Sequence, residues 1–223
     1  MVVASSSEGA AKPKRSPKRP GRSRSSKETK EAILEAAFTE FAKFGYEGTT
    51  TAAIARHVSV TQPLIHYHFG SKDELWQQTV NLAFSRLASR LKKLSRPAEN
   101  VASFESLARN YVEFVKNNPE FGRMVARESD PGRIRWMVDR YIRPLVKTFE
   151  TRLDEARAAG YVTDIPTRYI LSAFIGAANH PFTMASIFEE LYGSDPGSPQ
   201  EADAYATALW KIMADGVVVA QDE

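Results

Sequence analysis

The sequence predicts an all-α protein made of a small N-terminal helical domain and a larger C-terminal helical domain. Near the N-terminus, apolar residues recur at the spacing of one helix face, as in Ile33, Ala37 and Phe41. From residue 97 onwards, proline and glycine divide the chain into segments of helix length, and no useful run alternates with the period of a strand. With 43% hydrophobic and 26% charged residues, the composition is that of a globular protein.

The distribution of charge separates an N-terminal arm from the rest of the chain. Residues 1–24 are rich in Ser, Pro, Gly, Lys and Arg and are predicted to be a disordered basic arm. Residues 1–27 hold eight basic residues and one acidic residue, whereas residues 28–223 hold 22 basic and 26 acidic residues. Either the arm binds the phosphates or minor groove of DNA, or it is a solvated tail with weak, salt-sensitive attraction. The predicted domains are residues 25–72 and 73–223.

Several classes of protein are excluded by what the sequence lacks. There is no cysteine, so disulfides, thiolate metal sites and a cysteine nucleophile are excluded. No apolar run approaches the roughly 20 residues that span a bilayer, and no signal-peptide core begins the chain, so we expect a cytoplasmic protein without a membrane partner. The four histidines and 27 carboxylates show no catalytic or metal-binding spacing. We therefore expect no enzyme activity, no metal and no cofactor.

Capping residues mark the ends of helices in the first domain. Ser25-x-x-Glu28 fits a capping box that opens the first helix, and Gly45 is placed to end it. Ser71-x-x-Glu74 fits a second capping box, which opens a long fourth helix. Three aromatic side chains of the first helix are predicted to lie in the core, namely Phe38, Phe41 and Phe44.

Between these two helices the sequence predicts a helix-turn-helix. One of Thr49–Thr51 is expected to cap a short second helix, and Val58–Val60 form the turn. The third helix is predicted over Gln62–Phe69. We expect the Thr61 hydroxyl to cap it by accepting a hydrogen bond from the backbone N–H of Leu64.

The third helix is predicted to present a polar and aromatic face to DNA. Ile65 and Phe69 lie four residues apart and are expected to face the core. The outward side chains, which are predicted to contact bases, are then Gln62, Pro63, His66 and Tyr67. Glutamine can pair with adenine through two hydrogen bonds, and proline can contact a thymine methyl group. Tyr67, His68 and Lys72 can donate hydrogen bonds to phosphates.

From about Thr29 to Val80 the sequence resembles the TetR family of bacterial transcriptional regulators. The residues that carry the resemblance are Ile33-Leu34-x-Ala36-Ala37, Phe41, Phe44-Gly45-Tyr46, Gly48-Thr49-Thr50, Ile54-Ala55, Val60-Thr61 and Tyr67-His68-Phe69-x-Ser71-Lys72-Asp73-x-Leu75. Two positions depart from the family pattern. The turn has Val58-Ser59 where Ala-Gly is usual, and His66 replaces a common tyrosine.

The resemblance implies a homodimer whose third helices enter successive major grooves of a palindromic double-stranded DNA operator. The two half-site centres would then be ~34–36 Å apart. The positions that contact bases in the family correspond to the four outward residues of the third helix. The positions that contact phosphates correspond to Thr50, Thr51, Thr61, His68 and Lys72.

The region after Pro97 is predicted to be helical throughout. The predicted helices span residues 103–117, 119–129, 132–159, 166–192 and 199–219. This layout resembles the ligand-binding and dimerisation half of TetR-type regulators, in which the last two long helices of each subunit form a four-helix interface. Candidate interface residues are Ala177, Met184, Phe188, Leu209, Trp210 and Met213. The alternative for these residues is a place in the core of one subunit.

A proline inside a predicted helix directs attention to a candidate ligand pocket. Pro181 removes a backbone N–H and leaves the carbonyl of Ala177 without its helical partner, next to the polar pair Asn179-His180. A mixture of aromatic and polar side chains fits a small organic effector, although many such residues are ordinary core. The candidate pocket residues are Phe121, Met124, Arg127, Glu128, Trp136, Tyr141, Tyr169, Phe174, Asn179 and His180.

The function predicted from these features is sequence-specific regulation of transcription. We expect a repressor that leaves its operator when a small organic effector binds the C-terminal domain and changes the separation of the two reading helices. The alternatives are an architectural DNA-binding protein that uses the basic arm and, less in keeping with the motifs, a small-molecule-binding enzyme.

Overall fold

The computed structural model describes residues 25–92 and 101–218, so the predicted basic arm lies outside the described residues. The described chain is helical, as predicted, with one antiparallel bridge between Val162 and Val218. The helices are α1 (Ser26–Gly48), α2 (Thr51–His57), α3 (Gln62–Phe69), α4 (Lys72–Lys92), α5 (Val101–Asn117), α6 (Pro119–Ala126), α7 (Pro131–Met137), a π-helical turn (Val138–Ile142), α8 (Arg143–Ala158), α9 (Thr167–Thr183), α10 (Ala185–Tyr192) and α11 (Pro199–Val217).

Helix α1 is the platform on which the N-terminal part is built. It starts at the predicted capping box, because the Ser25 hydroxyl accepts from the Glu28 N–H and the Glu28 carboxylate accepts from the Ser25 N–H. At Gly45 the backbone has φ +69°, so the regular helix breaks there and a short turn follows. Phe38 and Phe41 are buried as predicted, but the prediction is wrong for Phe44, which is 48% exposed one residue before the break.

Helix α1 joins the two halves of the molecule. It packs against α4 and α6, and α4 continues into contact with α5. The largest buried cluster therefore runs from Ile33 and Phe41 in α1 through Trp76 in α4 to Met124 in α6. The N-terminal and C-terminal helices share this core, so a shift of α6 is transmitted to α1 by direct packing.

Three helices of the C-terminal half are shorter than predicted. Helix α6 ends at Ala126, before the predicted residue 129, because Arg127 closes it and Asp130 caps the next helix. The single helix predicted over 132–159 is interrupted by the π-helical turn. The helix predicted over 166–192 breaks at Met184, three residues after Pro181, where a ψ of 32° departs from helical geometry.

None of the helices in the described part of the chain is both long enough and apolar enough to cross a membrane.

The proline inside α9 has a specific partner in α11. Pro181 cannot donate to the carbonyl of Ala177, and the hydroxyl of Tyr205 donates to that oxygen instead, over 2.8 Å. The bond therefore replaces the missing helical hydrogen bond and ties α9 to α11. Partial burial raises the pKa of Tyr205, so its hydroxyl stays protonated as a donor.

Replacing Tyr205 by phenylalanine tests this bond. The change leaves a half-buried carbonyl without its donor, so Tyr205→Phe should lower the free energy of unfolding by about 1–3 kcal/mol. Urea unfolding followed by circular dichroism gives the value. Tyr192→Phe is the matched control, because Tyr192 is exposed, and it should change stability by less than about 0.5 kcal/mol. Equal effects of the two changes would contradict the assigned role.

Candidate nucleic-acid interface and internal cavity

Two threonines close the corner between α1 and α2. Thr49 is fully buried, and its hydroxyl is within hydrogen-bond distance of the carbonyls of Glu40 and Gly45. Thr50 is the cap of α2, since its hydroxyl accepts a 3.1 Å hydrogen bond from the N–H of Ala53. The expectation that one residue of Thr49–Thr51 caps this helix is therefore met by Thr50, while Thr49 locks the corner.

The turn of the helix-turn-helix has the geometry that its sequence predicts. Ser59 has φ +58°, the left-handed conformation that glycine adopts most readily. It lets the chain reverse so that the N–H of Val60 donates to the carbonyl of Ala55 over 2.9 Å. The serine therefore carries backbone strain at the position where the family pattern has glycine.

Helix α3 lies against the core through Ile65 and Phe69, which are both buried. All four predicted base-contacting side chains are exposed, and Tyr67 is the most open at 81%. The exposed set is Gln62, Pro63, His66 and Tyr67. Helix α3 thus presents a continuous polar and aromatic surface with the dimensions of a short reading helix.

The predicted cap of α3 is wrong in one respect. The Thr61 side chain makes no capping hydrogen bond, and the N–H of Leu64 donates to the backbone carbonyl of Thr61 over 3.1 Å. With that donor already satisfied by the main chain, the hydroxyl of Thr61 is not needed as a cap. The side chain is exposed at the start of the helix, beside Gln62.

The predicted phosphate-contacting residues differ in how exposed they are. Thr50 and Thr61 are exposed, and His68 and Lys72 are half-buried. Thr51 is buried, and its hydroxyl accepts a 3.0 Å hydrogen bond from the side-chain amide of Gln62. Burial, and not this hydrogen bond, limits contact of the Thr51 side chain with a phosphate, and in the structure the Thr51 hydroxyl orients Gln62.

Lys72 lies at the start of α4, on the same side as α3. Its ammonium group is 4.2 Å from the centre of the Tyr46 ring, and the hydroxyl of Tyr46 donates to the carboxylate of Asp73 over 2.7 Å. Burial, followed by this bond to a negative partner, raises the pKa of Tyr46 to about 12. The ring therefore holds the lysine stem in place while the ammonium remains available to an anion.

The ring of Tyr46 also contacts an arginine of α7. The guanidinium of Arg133 lies 3.6 Å from the centre of the Tyr46 ring. It pairs with Glu128 over 3.0 Å and with Glu47 over 3.2 Å. The Glu128 side chain is only 3% exposed, so the pair is desolvated on its acidic side. Burial alone would lower the pKa of Arg133, but its bonds to Glu128 and Glu47 outweigh this and raise it.

An internal cavity of about 240 Å³ lies among the C-terminal helices. It is bounded by α4, α5, α6, α8, α9 and α11, and its wall is almost entirely carbon. Its lining includes Phe84, Ala108, Tyr111, Phe174, Trp210 and Met213. Such an apolar, partly open space suits a small organic molecule.

The cavity is not where the sequence placed the pocket. Of the ten candidates, Phe121 and Phe174 line it, whereas His180 and Tyr169 are exposed on the surface. Asn179 and Tyr141 do not line the cavity but contact the lining residues Tyr111 and Phe84. The remaining candidates have structural contacts elsewhere: Met124 in the core, Arg127 as a helix cap, Glu128 with Arg133, and Trp136 with Trp76. The prediction favoured α9 because of Pro181, but the carbonyl that this proline leaves free already accepts a hydrogen bond from Tyr205.

Tyr111 is the functional candidate that the sequence prediction missed. Its helix, α5, has a regular apolar face containing Phe104, Leu107, Ala108 and Tyr111, and that spacing looks like ordinary core. A tyrosine on an otherwise apolar stripe is the signal that was available, because a buried phenol needs a polar partner.

A row of aromatic rings leads from the cavity to the N-terminal part. Phe84, on the cavity wall, stacks on Tyr141 with 4.8 Å between ring centres. Tyr141 contacts Trp136 at 5.6 Å, and Trp136 contacts Trp76 at 5.5 Å. Trp76 then meets the edge of Tyr46 at 6.3 Å. The row thus ends at the ring that holds Lys72 and Arg133.

The predicted interface residues divide into buried and open groups. Leu209 is buried, and Trp210 and Met213 line the cavity, so these three serve the core of one subunit. Ala177 is half-buried beside Tyr205, Phe188 is half-buried against Tyr192, and Met184 is exposed. Further exposed apolar side chains on these helices are Ile175, Ile187, Leu191 and, at 71%, Ile212.

These features define a protein with a helix-turn-helix at its N-terminus and a helical, cavity-containing C-terminal half. Residues 33–79 match the family model of bacterial regulatory proteins of the tetR family. The match includes α2, α3 and the first part of α4, which are the elements that carry the exposed face.

Curated relatives match the chain over a segment of similar length. The HTH-type negative transcriptional regulator IcaR of the biofilm operon icaADBC from Staphylococcus aureus is 38% identical over 58 residues, which are 26% of this chain. The IcaR of Staphylococcus epidermidis is 32% identical over 56 residues, or 25% of this chain. The chain spans 31% and 30% of the lengths of these relatives.

Solved structures share the fold over most of the chain. The ketosteroid transcriptional regulator KstR2 of Mycobacterium tuberculosis has a TM-score of 0.67 at 18% identity, covering 86% of this chain and 96% of its own. The fatty acid degradation regulator FadR from Bacillus halodurans has a TM-score of 0.63 at 16% identity, covering 89% and 98%. IcaR and KstR2 are described as transcriptional regulators and FadR as a fatty acid degradation regulator, in agreement with the expectation of a regulator and not an enzyme.

The strain at Ser59 gives a stability prediction. Glycine adopts φ +58° without the steric cost that serine has, so Ser59→Gly should raise the free energy of unfolding by up to about 1 kcal/mol. Thermal or urea unfolding measures the change. Ser89→Gly, within α4, should have the opposite sign, because glycine loses more backbone entropy in a helix. Destabilisation by Ser59→Gly would show that the strain is not released.

Removing the ion pairs of Arg133 should change stability by a larger amount. Arg133→Met leaves the buried Glu128 carboxylate unpaired and should cost about 3–5 kcal/mol of stability. The control is Arg86→Met, which breaks an exposed ion pair with Glu35 and should cost about 1 kcal/mol or less. Chemical denaturation of both variants gives the comparison, and similar losses would show that Glu128 is not dependent on Arg133.

Proposed function

We propose that the protein is a DNA-binding regulator of transcription that acts as a repressor in the bacterial cytoplasm. The observation that carries the proposal is the exposed face of α3, held on a tetR-family helix-turn-helix. Gln62 supplies donor and acceptor groups for a base edge, and Pro63 supplies an apolar contact for a thymine methyl group. Residues 25–72 form the reading domain in this proposal, and residues 73–223 control it.

Repression is supported by the name of the relatives. IcaR is described as a negative transcriptional regulator of the biofilm operon icaADBC, and it is 38% identical to this chain over 58 residues. A repressor of this kind needs only to occupy its operator and exclude other proteins. The helix-turn-helix supplies that occupation without further machinery.

Phosphate contacts would fix the reading helix in the groove. The ammonium group of Lys72 contacts the face of the Tyr46 ring, and Tyr67 and His68 are next to each other on α3. Thr50 and Thr61 expose hydroxyl groups at the starts of α2 and α3. These groups surround the base-reading side chains on both sides, as a helix that lies in a major groove requires.

A homodimer on a palindromic operator completes the proposed arrangement. A second copy of the chain would cover the apolar side chains that α9, α10 and α11 expose, including Ile187, Leu191 and Ile212. Two-fold symmetry would then place two α3 helices about one turn of DNA apart.

Control by an effector follows from the position of the cavity. A molecule bound there would contact Phe84 and Phe121, which pack against each other at the end of the aromatic row. Displacement of these rings would shift Trp76 and the α1–α6 contact, and with them the angle of the reading domain. Release from DNA is then a change in the populations of two dimer geometries.

Three substitutions separate base reading from phosphate binding. Gln62→Ala should relax the preference at one base pair by about 1–3 kcal/mol, because it removes a contact to a base edge. Lys72→Ala should weaken binding to operator and random DNA alike and reduce the salt dependence by about one unit. Tyr67→Ala should also weaken binding across all sequences. Fluorescence anisotropy with operator and scrambled duplexes at several salt concentrations measures all three.

The operator is sought first in the intergenic DNA beside the protein's own gene. Failure of the full chain to bind any palindrome there at low salt would count against the proposal. If Gln62→Ala behaves like Lys72→Ala, the assignment of base reading to Gln62 is wrong, while DNA binding itself stands. Equal affinity for operator and random DNA at matched salt would favour an architectural protein.

A further inference from the structure

The cavity is lined by uncharged side chains, and this limits the chemical class of ligand that can bind there. Its described lining side chains include no carboxylate, ammonium, guanidinium or imidazole group. The polar side-chain groups among them are the hydroxyl of Tyr111 and the indole N–H of Trp210. An ionised ligand buried here would lose its water without gaining a counter-charge, which is strongly unfavourable.

The hydroxyl of Tyr111 is already oriented by a neighbour on α9. The side-chain amide nitrogen of Asn179 donates to this hydroxyl over 2.9 Å and to the carbonyl of Ile175 over 2.8 Å. Both hydrogens of the amide are thereby used. The hydroxyl oxygen of Tyr111 is an acceptor in this pair, so its own hydrogen points away from Asn179 and can be donated to another group.

Asn179 is itself held in place by close packing. A methyl group added at Gly122 would come within 2.7 Å of the Asn179 side-chain oxygen, so the amide fills the space that this glycine leaves. Burial raises the pKa of Tyr111, and the phenol therefore remains protonated at neutral pH. The ring of Tyr111 lies 5.5 Å from that of Phe174 on the cavity wall.

We propose that the effector is an uncharged, mainly hydrocarbon molecule with a single oxygen acceptor, such as a ketone, that takes its hydrogen bond from the hydroxyl of Tyr111. The inference rests on the proposed function, because it names the chemical class that the regulatory cavity admits. Apolar contacts supply the affinity, and one directional bond fixes the orientation of the molecule. Carboxylates and amines of the same length are excluded by the absence of a counter-charge among the described lining residues.

The test compares three probes that share one hydrocarbon length. Isothermal titration of the full chain at neutral pH is carried out with 2-octanone, octane and octanoate. We expect 2-octanone to bind, and octanoate to bind at least about 100-fold more weakly, since its charge would be desolvated. Octane should also bind, but more weakly than the ketone by roughly 3- to 10-fold, which is the worth of one neutral hydrogen bond.

Two variants test whether the hydroxyl of Tyr111 donates the hydrogen bond and whether the probes bind in the cavity. Tyr111→Phe should weaken the binding of 2-octanone by roughly 3- to 10-fold and change the affinity for octane by no more than about twofold. Tyr169→Phe is the matched control and should change neither, because Tyr169 is on the surface. Ala108→Leu adds carbon atoms to the cavity wall and should reduce binding of both uncharged probes, with an unfolding transition that shows the chain is still folded.

The outcomes separate this inference from the proposed regulation. Octanoate binding as tightly as the ketone, no binding of the ketone, or a ketone affinity unaffected by Tyr111→Phe would each overturn the inference. Adding 2-octanone to the complex of the chain with its operator then tests regulation. If the ketone binds as expected and the operator stays bound, the ligand class stands and effector-driven release is wrong.

Discussion

The guanidinium of Arg133 connects parts of the molecule that are distant in the sequence. From its place in α7, it joins the loop between α6 and α7, through Glu128, to the end of α1, through Glu47 and the face of Tyr46. Because Glu128 is almost completely buried, the guanidinium cannot leave without exposing an unpaired charge to a low-dielectric interior. The position of α1, and of the reading helix that packs on it, is thereby fixed relative to the C-terminal helices.

The cavity and the reading helix are connected by packing and not by a chain of charges. The π-helical turn puts Tyr141 where it stacks on Phe84, and the wider turn is the local departure from regular helix that makes this placement possible. Rings in direct contact cannot move independently, because the interior is close-packed. A ligand that presses on Phe84 therefore acts on a set of side chains that already reaches α1.

Much of the fold, and the exposed face of α3, could be predicted from local signals. Capping boxes at Ser25 and Ser71, a positive φ at Ser59 and the buried pair Ile65 and Phe69 are set by neighbours within a few residues. The cap of α3 was predicted wrongly, since the backbone carbonyl of Thr61 takes the N–H that its hydroxyl was expected to take.

Features that depend on distant partners could not be read from the sequence. The kink at Pro181 looked like a ligand contact because nothing in the sequence shows that Tyr205, 24 positions later, donates to the freed carbonyl. In the same way, helical spacing on α5 cannot distinguish a face that fills a core from one that borders a cavity. Contacts of DNA, effector and a second subunit with the residues assigned to them stay predictions.

The arrangement of the tryptophans gives the protein a built-in optical signal. The chain has three of them. Trp210 lines the cavity, whereas Trp76 and Trp136 lie 5.5 Å apart at a 50° angle in the aromatic row. Two indoles so close and so inclined couple their electronic transitions, and the coupling depends on their mutual angle. Tryptophan emission, to which Trp210 contributes, and near-ultraviolet circular dichroism, to which the pair contributes, thus respond to cavity occupancy and to interhelical geometry without any added label.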